Sequence, residues 1–296
     1  MRPERDFAGR ELFSISAPER QRVPFVFNSP HSGRFYPRAF LDASRLDRIA
    51  IRRSEDCYVD DLFRAAVALG APFLTAHFPR AYVDVNREPL ELDPKMFIEP
   101  LPPHVNSRSS RVQGGLGTIP RVVGEGQEIY RGRLPLAEAM ARIEAVYRPY
   151  HETLRRLLFD THRQFGYAVL IDCHSMPAGV RVAESGQRPD FTIGDRFGTS
   201  CAPSLSQAAL DSLRAMDYAV SHNRPYAGGF ITEHYGQPAK GFHAMQIEVS
   251  RGLYLDDRTL ERKPGFGRLA GDIATLLSHL CSADRFEAEQ RPIAAE

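Results

Sequence analysis

The stretch YAVLIDCHSMP, Tyr167–Pro177, decides the fold. Ala168 to Asp172 is an apolar run of strand length, too short for an amphipathic helix. It turns polar at once, through Asp172, Cys173, His174 and Ser175, and stops at Pro177. VPFVFNSPHSG, Val23–Gly33, repeats the design: a strand over Val23–Phe27, then Asn28, Ser29, Pro30, His31, Ser32 and Gly33. In open α/β sheets the ligand crevice lies beyond the carboxyl ends of the strands. Two strands that each end in His-Ser therefore predict two imidazoles on one rim.

Outward from these strands the chain alternates strand and helix. A helical stretch is expected near Leu41–Ile51. Ser54 reads as the cap of a helix running to about Leu69, with Glu55 and Asp56 in its first turn, where the helix dipole favours anions. Gly70 ends it. Strands follow at Pro72–Ala76 and Ala81–Val85. From Glu88 to Leu134 the pattern fails, and a long irregular stretch in a compact domain is usually functional or mobile. Apolar residues at helical spacing predict a helix over Pro135–Phe165. The remaining expectations are strands at Phe191–Gly194 and Tyr218–Ser221, a helix at Pro203–Ala215, a Gly/Pro-rich loop from Asn223 to Gly241, a strand over His243–Ser250, and a last helix at Gly265–Cys281. Strands alternating with helices predict one α/β domain over residues 1–296, its mixed, mainly parallel sheet covered by helices on both faces. Residues 1–20 and 284–296 read as peripheral tails.

With 296 residues, 43% hydrophobic and 25% charged, the chain can bury a sizeable core. A net charge of +1 offers no global field for nucleic acid or membrane. The first residues, MRPERDFAGRELF, lack the apolar core of a signal peptide. No apolar run reaches the ~18 residues of a membrane span. Four dispersed cysteines without a C-x-x-C exclude a zinc ribbon and fit a reducing cytoplasm. Nothing speaks to the oligomeric state.

Two imidazoles, one carboxylate and a water make a catalytic zinc site with an open position. His31 and His174 supply the nitrogens, and Glu55 and Asp56 both stand as carboxylate candidates. PRAYVDVNREP, Pro79–Pro89, offers Arg80 before its strand and Asn86-Arg87 after it; a guanidinium grips a carboxylate through two parallel hydrogen bonds. Glu248 sits in an apolar strand between Ile247 and Val249, where an inward carboxylate needs a partner or a function. Alternation along the strand leaves its direction open.

The segments FNSPHSGRFYP, RSEDCYVDDLF, RAYVDVNREP, LIDCHSMP and NRPYAGGFITEHYGQPAKGFHAMQIEVSR occur in the order found in the N-formylglutamate amidohydrolases, and from about Val23 to Tyr254 the chain resembles that family. The resemblance implies a zinc-dependent α/β hydrolase, similar in fold to the zinc carboxypeptidases and aspartoacylases. It implies cleavage of the formamide of N-formyl-L-glutamate, giving formate and L-glutamate, in one histidine-degradation route. It matches His31 and His174 to the histidine ligands and Asp56 to the carboxylate ligand, with Glu55 as a rival. It matches Asn86 and Arg87 to a substrate-carboxylate clamp, Arg80 to the oxyanion-stabilising arginine and Glu248 to the general base. The Glu that carboxypeptidases carry three residues after the first histidine is absent; Arg34 stands there. Asp172 is placed to orient a ligand imidazole. The Gly228–Gly236 segment lies over the site without an assigned role.

Three other readings compete. A zinc deacylase or carboxypeptidase for another N-acyl amino acid or a peptide would use the same chemistry. A non-catalytic amino-acid-binding protein would be expected to lack Glu248 or a histidine ligand. A serine hydrolase lacks its G-x-S-x-G. The arginine-rich loop Arg108–Arg121 has no interleaved aromatics and so does not predict RNA binding.

Overall fold

Why the apolar runs change character at their ends is answered by the register of the sheet. The strands are β1 (Phe13–Ser16), β2 (Phe25–Ser29), β3 (Phe73–Ala76), β4 (Val122–Val123), β5 (Gln127–Glu128), β6 (Ala168–Met176), β7 (Phe191–Gly194), β8 (Val220–His222) and β9 (Phe242–Ser250). The fold is a computed structural model, described for residues 7, 9–124 and 126–282. Seven strands form one sheet in the order β1-β3-β2-β6-β9-β7-β8, and β4 pairs with β5 alone. β3, β2, β6 and β9 run parallel. β1 and β7 join that block antiparallel, and β8 runs parallel to β7. The sheet is thus mixed and mainly parallel, as the alternation predicts.

In-register residues of parallel strands share a face. On one face Val26, Leu170 and Ala244 lie side by side, and one step nearer the carboxyl ends Asn28, Asp172 and Gln246 do the same. His174 and Glu248 are the next pair on that face. The opposite face carries Phe27, Ile171, Cys173, Met245, Ile247 and Val249 and turns polar at Ser29 and Ser175, at its carboxyl end. One face therefore passes from core to polar site within a single strand length. It is covered by the helix Arg148–Phe165, whose Tyr150, Leu154 and Leu158 are buried against it. The other packs on the helices Pro203–Ala215 and Phe266–Cys281. The result is a three-layer α/β/α domain. Among the described residues no helix is long and apolar enough to cross a membrane.

Several local expectations fail. Ala81–Val85 is not a strand: both edges of β3 are taken by β1 and β2, so the segment has no partner and turns inward, with the Asp84 N–H donating to Thr118 O. The Ser54-capped helix is absent. A 3₁₀ turn, Ala50–Ser54, is followed by extended Glu55, and helix resumes only as the short pieces Val59–Leu62 and Ala65–Ala68. Side-chain partners of Glu55 and Asp56, given below, outweigh helix propensity. Leu41–Ile51 is likewise split after the helix Arg38–Ala43, where Asp47 Oδ1 accepts from the N–H groups of Ile49 and Ala50 in a local turn. Residues 13–16, expected in a peripheral tail, form the edge strand β1; the expected tail 284–296 lies outside the described residues. The loop Asn223–Gly241 contains the helix Phe230–Tyr235. The long helix begins as Leu136–Arg142 and passes through a π segment, Ile143–Tyr147.

Candidate metal centre and active-site cleft

His31 follows β2 on a tight turn that lies directly on another backbone. A Cβ on Gly33 would sit 2.0 Å from Phe78 O, so only glycine permits this approach. The His31 carbonyl accepts from the Asp56 N–H at 3.0 Å, which ties the first histidine to the extended segment that replaced the expected helix. His31, Asp56 and His174 thereby meet: one candidate ligand atom from each lies within 4.8 Å of the others, and all three residues are buried. The ring centroids of the two histidines are 4.8 Å apart.

Each imidazole is held from behind by a carboxylate. His31 Nε2 lies 2.8 Å from Asp84 Oδ1, and His174 Nε2 lies 2.9 Å from Asp172 Oδ2. With Nε2 donating, both rings offer Nδ1 to the cluster, as ligand histidines do when a carboxylate orients them. His174 Nδ1 is 2.9 Å and His31 Nδ1 3.5 Å from Asp56 Oδ2. His31 Nδ1 is buried without a hydrogen-bond partner among the described residues. Asp56 Oδ1 is occupied separately, by Arg251 at 3.1 Å and Ser175 Oγ at 3.3 Å.

Burial raises the pKa of the Asp56 carboxyl, but the two histidines outweigh it and hold it well below 3.8. Burial lowers that of His174, but Asp172 and Asp56 outweigh it and hold the ring well above 6.5. Asp84 is likewise held well below 3.8 by Arg80, Arg87 and His31 against the effect of burial. Glu55 points elsewhere. Arg52 takes its carboxylate through two bonds of 2.9 and 3.0 Å, and Cys57 Sγ lies against it at 3.3 Å. Of the two rival carboxylates, only Asp56 faces the histidines.

Glu248 is inward, on the same face as His174, and only 7% exposed. Gln246 Nε2 donates to its Oε1 at 2.9 Å, and burial pushes its pKa up to about 7. Arg80 donates to Asp84 Oδ2 at 2.7 Å and lines the same cleft. That cleft has two lobes, of about 230 and 360 Å³, which share Arg80, Arg87, His174, Tyr226 and Glu248.

Asn86 and Arg87 are less free than a substrate clamp requires. Asn86 Oδ1 accepts from the Ile231 N–H at 2.8 Å, while Nδ2 faces Asp172 and His174. Gly229 packs so closely on this amide that a Cβ would lie 2.4 Å from it. Asn86 thus joins the Gly228–Gly236 segment to the histidine rather than presenting a free amide. Arg87 spends Nε on Leu116 O and Nη1 on Asn86 O, both at 2.8 Å, and keeps Nη2, 3.7 Å from Asp84.

Asp84, Gln246 and Arg251 escaped the sequence reading. Asp84 stood inside an expected strand; its signal was a lone acid in an otherwise apolar run.

The family model described as N-formylglutamate amidohydrolase matches residues 23–255. Curated proteins named N-formylglutamate deformylase are similar to this chain. The one from Pseudomonas aeruginosa is 34% identical over 81% of this chain and 85% of its own length; that from Pseudomonas putida is 33% identical over 80% and 83%. The crystal structure of N-formylglutamate amidohydrolase from Ralstonia eutropha JMP134 superposes with a TM-score of 0.86 at 34% identity, covering 93% of this chain and 99% of that one.

Proposed function

The chain belongs to the N-formylglutamate amidohydrolase family, and from that premise we propose that it hydrolyses N-formyl-L-glutamate to formate and L-glutamate with one divalent metal ion held by His31, Asp56 and His174. The observation that carries this reading is the meeting of these three buried side chains, His31 Nδ1 unpartnered, beside Glu248 and Arg80 in one cleft. The donors fit the group: two imidazole nitrogens and one carboxylate oxygen are the set of catalytic zinc. A bound ion there supplies Lewis acidity towards water and carbonyl oxygen.

The side chains do the rest. Asp84 and Asp172 keep the proton of each ring on Nε2. Glu248, fixed by Gln246, accepts the proton of the attacking water; the water oxygen bonds to the formyl carbon, the C–N bond breaks, and Glu248 returns the proton to the leaving nitrogen. Its raised pKa suits both halves of that cycle near neutrality. Arg80 donates to the oxygen that gains charge. Arg87 Nη2 binds a substrate carboxylate, while Asn86 holds the wall behind it. The reading includes a cytoplasmic setting and a place in histidine degradation, as expected from the sequence.

The test is metal content of the purified protein, with formate release from N-formyl-L-glutamate and from other N-acyl amino acids, before and after chelation. About one metal per chain and chelator-sensitive release from N-formyl-L-glutamate is the expected result. Full activity without metal, or a preference for another acyl amino acid, overturns it.

A further inference from the structure

The larger lobe of the cleft, about 360 Å³, is lined by Arg80, Arg87, Arg111 and Arg196, with Glu248 as its acid among the described residues. These guanidiniums are not equally satisfied. Arg80 has Asp84, and Arg196 has Glu233 at 2.8 Å and Gly228 O at 3.3 Å. Arg87 is left with Nη2 and shares Asp84 with Arg80. Arg111 has no hydrogen-bond or ion-pair partner among the described residues, although it faces the same space. Its charge adds to burial, the larger effect, in lowering the pKa of Arg87. Two cations that line one cavity repel, as the effect of Arg111 on Arg87 shows, and an anionic ligand bound between them offsets that cost.

Their spacing is built rather than accidental. Arg111 lies in the short helix Ser110–Gln113, capped by Ser109 Oγ, which accepts from the Val112 N–H at 3.1 Å. The Leu116 N–H donates to Arg111 O at 2.8 Å, and Leu116 O accepts from Arg87 Nε at 2.8 Å. One residue therefore registers both arginines. Arg87 is the inner of the two, since its Nη2 approaches the carboxylate that holds His31.

We propose that Arg111 binds the side-chain carboxylate of the substrate, so that Arg87 and Arg111 together select an N-acyl amino acid with two carboxylates. This deepens the deformylase reading and rests on it for the identity of the scissile bond. Arg87 takes the carboxylate next to that bond, and Arg111 the one two methylenes farther out. The arginine-rich loop, unexplained by the sequence, acquires a role in specificity.

The experiment compares wild type, Arg111→Gln and Arg111→Lys, all metal-loaded, on N-formyl-L-glutamate and on its neutral side-chain amide, N-formyl-L-glutamine. It also measures calorimetric binding of glutarate, a dicarboxylate without an amide. Losing one charge-assisted contact should lower kcat/KM for N-formyl-L-glutamate about 10- to 100-fold, mainly through KM. N-formyl-L-glutamine should change by less than about threefold, Arg111→Lys should recover part of the loss, and glutarate should weaken by a similar factor in Arg111→Gln. Equal losses on both substrates, or unchanged glutarate binding, overturn the proposal. If wild type hydrolyses neither substrate but glutarate binding still depends on Arg111, the deformylase reading fails and the dicarboxylate site stands.

Discussion

Replacing Asp84 by Asn tests whether the carboxylates behind the histidines shape the proposed metal site. Asp84 is 2% exposed and accepts three hydrogen bonds: from His31 Nε2 at 2.8 Å and the Asn86 N–H at 2.9 Å on Oδ1, and from Arg80 at 2.7 Å on Oδ2. An asparagine with its oxygen in the Oδ1 position keeps the first two. Its NH₂ then points at Arg80, donor against donor, and that guanidinium loses its counter-charge. Breaking a buried ion pair from one side costs about 3–5 kcal/mol. Arg80 is 21% exposed, so water recovers part of this, and a loss of about 2–3 kcal/mol is expected, roughly 3–5 °C in Tm for a chain of this length. His31 is also left with a neutral, weaker acceptor, so its Nδ1 becomes a poorer donor to metal; such changes typically cost about 10- to 100-fold in affinity. Zinc competition against a chromophoric chelator measures the affinity, and thermal unfolding followed by circular dichroism measures the stability. Asp84→Asn with wild-type zinc affinity would remove the supporting role assigned here. Lost affinity without lost stability would mean that Arg80 does not depend on Asp84.

Three further outcomes are expected. Glu248→Gln should keep the metal and lower kcat by about 10²–10⁴, the usual worth of general acid–base help; loss of metal, seen by elemental analysis, would make Glu248 a ligand instead. Asp56→Asn should abolish metal binding, whereas Glu55→Gln, which weakens the contacts with Arg52 and Cys57 and none with the histidines, should lower Tm and leave metal content intact; the reverse pattern would exchange the two carboxylates. In the metal-free protein, burial raises the Glu248 pKa from 4.5 to about 7. The stability carried by its protonated form is therefore present below 4.5 and lost as pH rises through 7. Urea unfolding between pH 5 and 8 should show wild type losing stability relative to Glu248→Gln, and added zinc should move the transition to lower pH. Parallel pH profiles for the two proteins would refute the raised pKa.

Much of the architecture was legible because it rests on local pattern. Apolar runs of strand length, helical spacing and glycine stops located the strands of the parallel block and the three long helices, but β2 begins and ends two residues later than expected and β6 runs on past Asp172 to Met176, so that His174 lies within the strand. Two of the segments that failed, the Ser54-capped helix and the strand Ala81–Val85, lie in the 50–85 region that supplies Asp56 and Asp84. There, side chains spend their charge on partners remote in the chain: Asp56 on His174 and Arg251, Asp84 on His31. No propensity measures such pairings, because each needs residues far apart in the chain to be in place first.

The sequence alone determined the fold class, the two histidines and the order of the motifs, since a strand's length and its polar ending are properties of consecutive residues. Only the tertiary structure decided that Asp56 rather than Glu55 joins the histidines, that Glu248 faces inward, that the Asn86 amide is tied to the Ile231 N–H, and that Arg111 lines the cleft with Arg87 without a hydrogen-bond or ion-pair partner among the described residues. Those are questions of direction. Adjacent residues such as Glu55 and Asp56 carry the same charge in the chain and part company only when the register of the sheet and a hydrogen bond from Asp56 N–H to His31 O aim them at different partners.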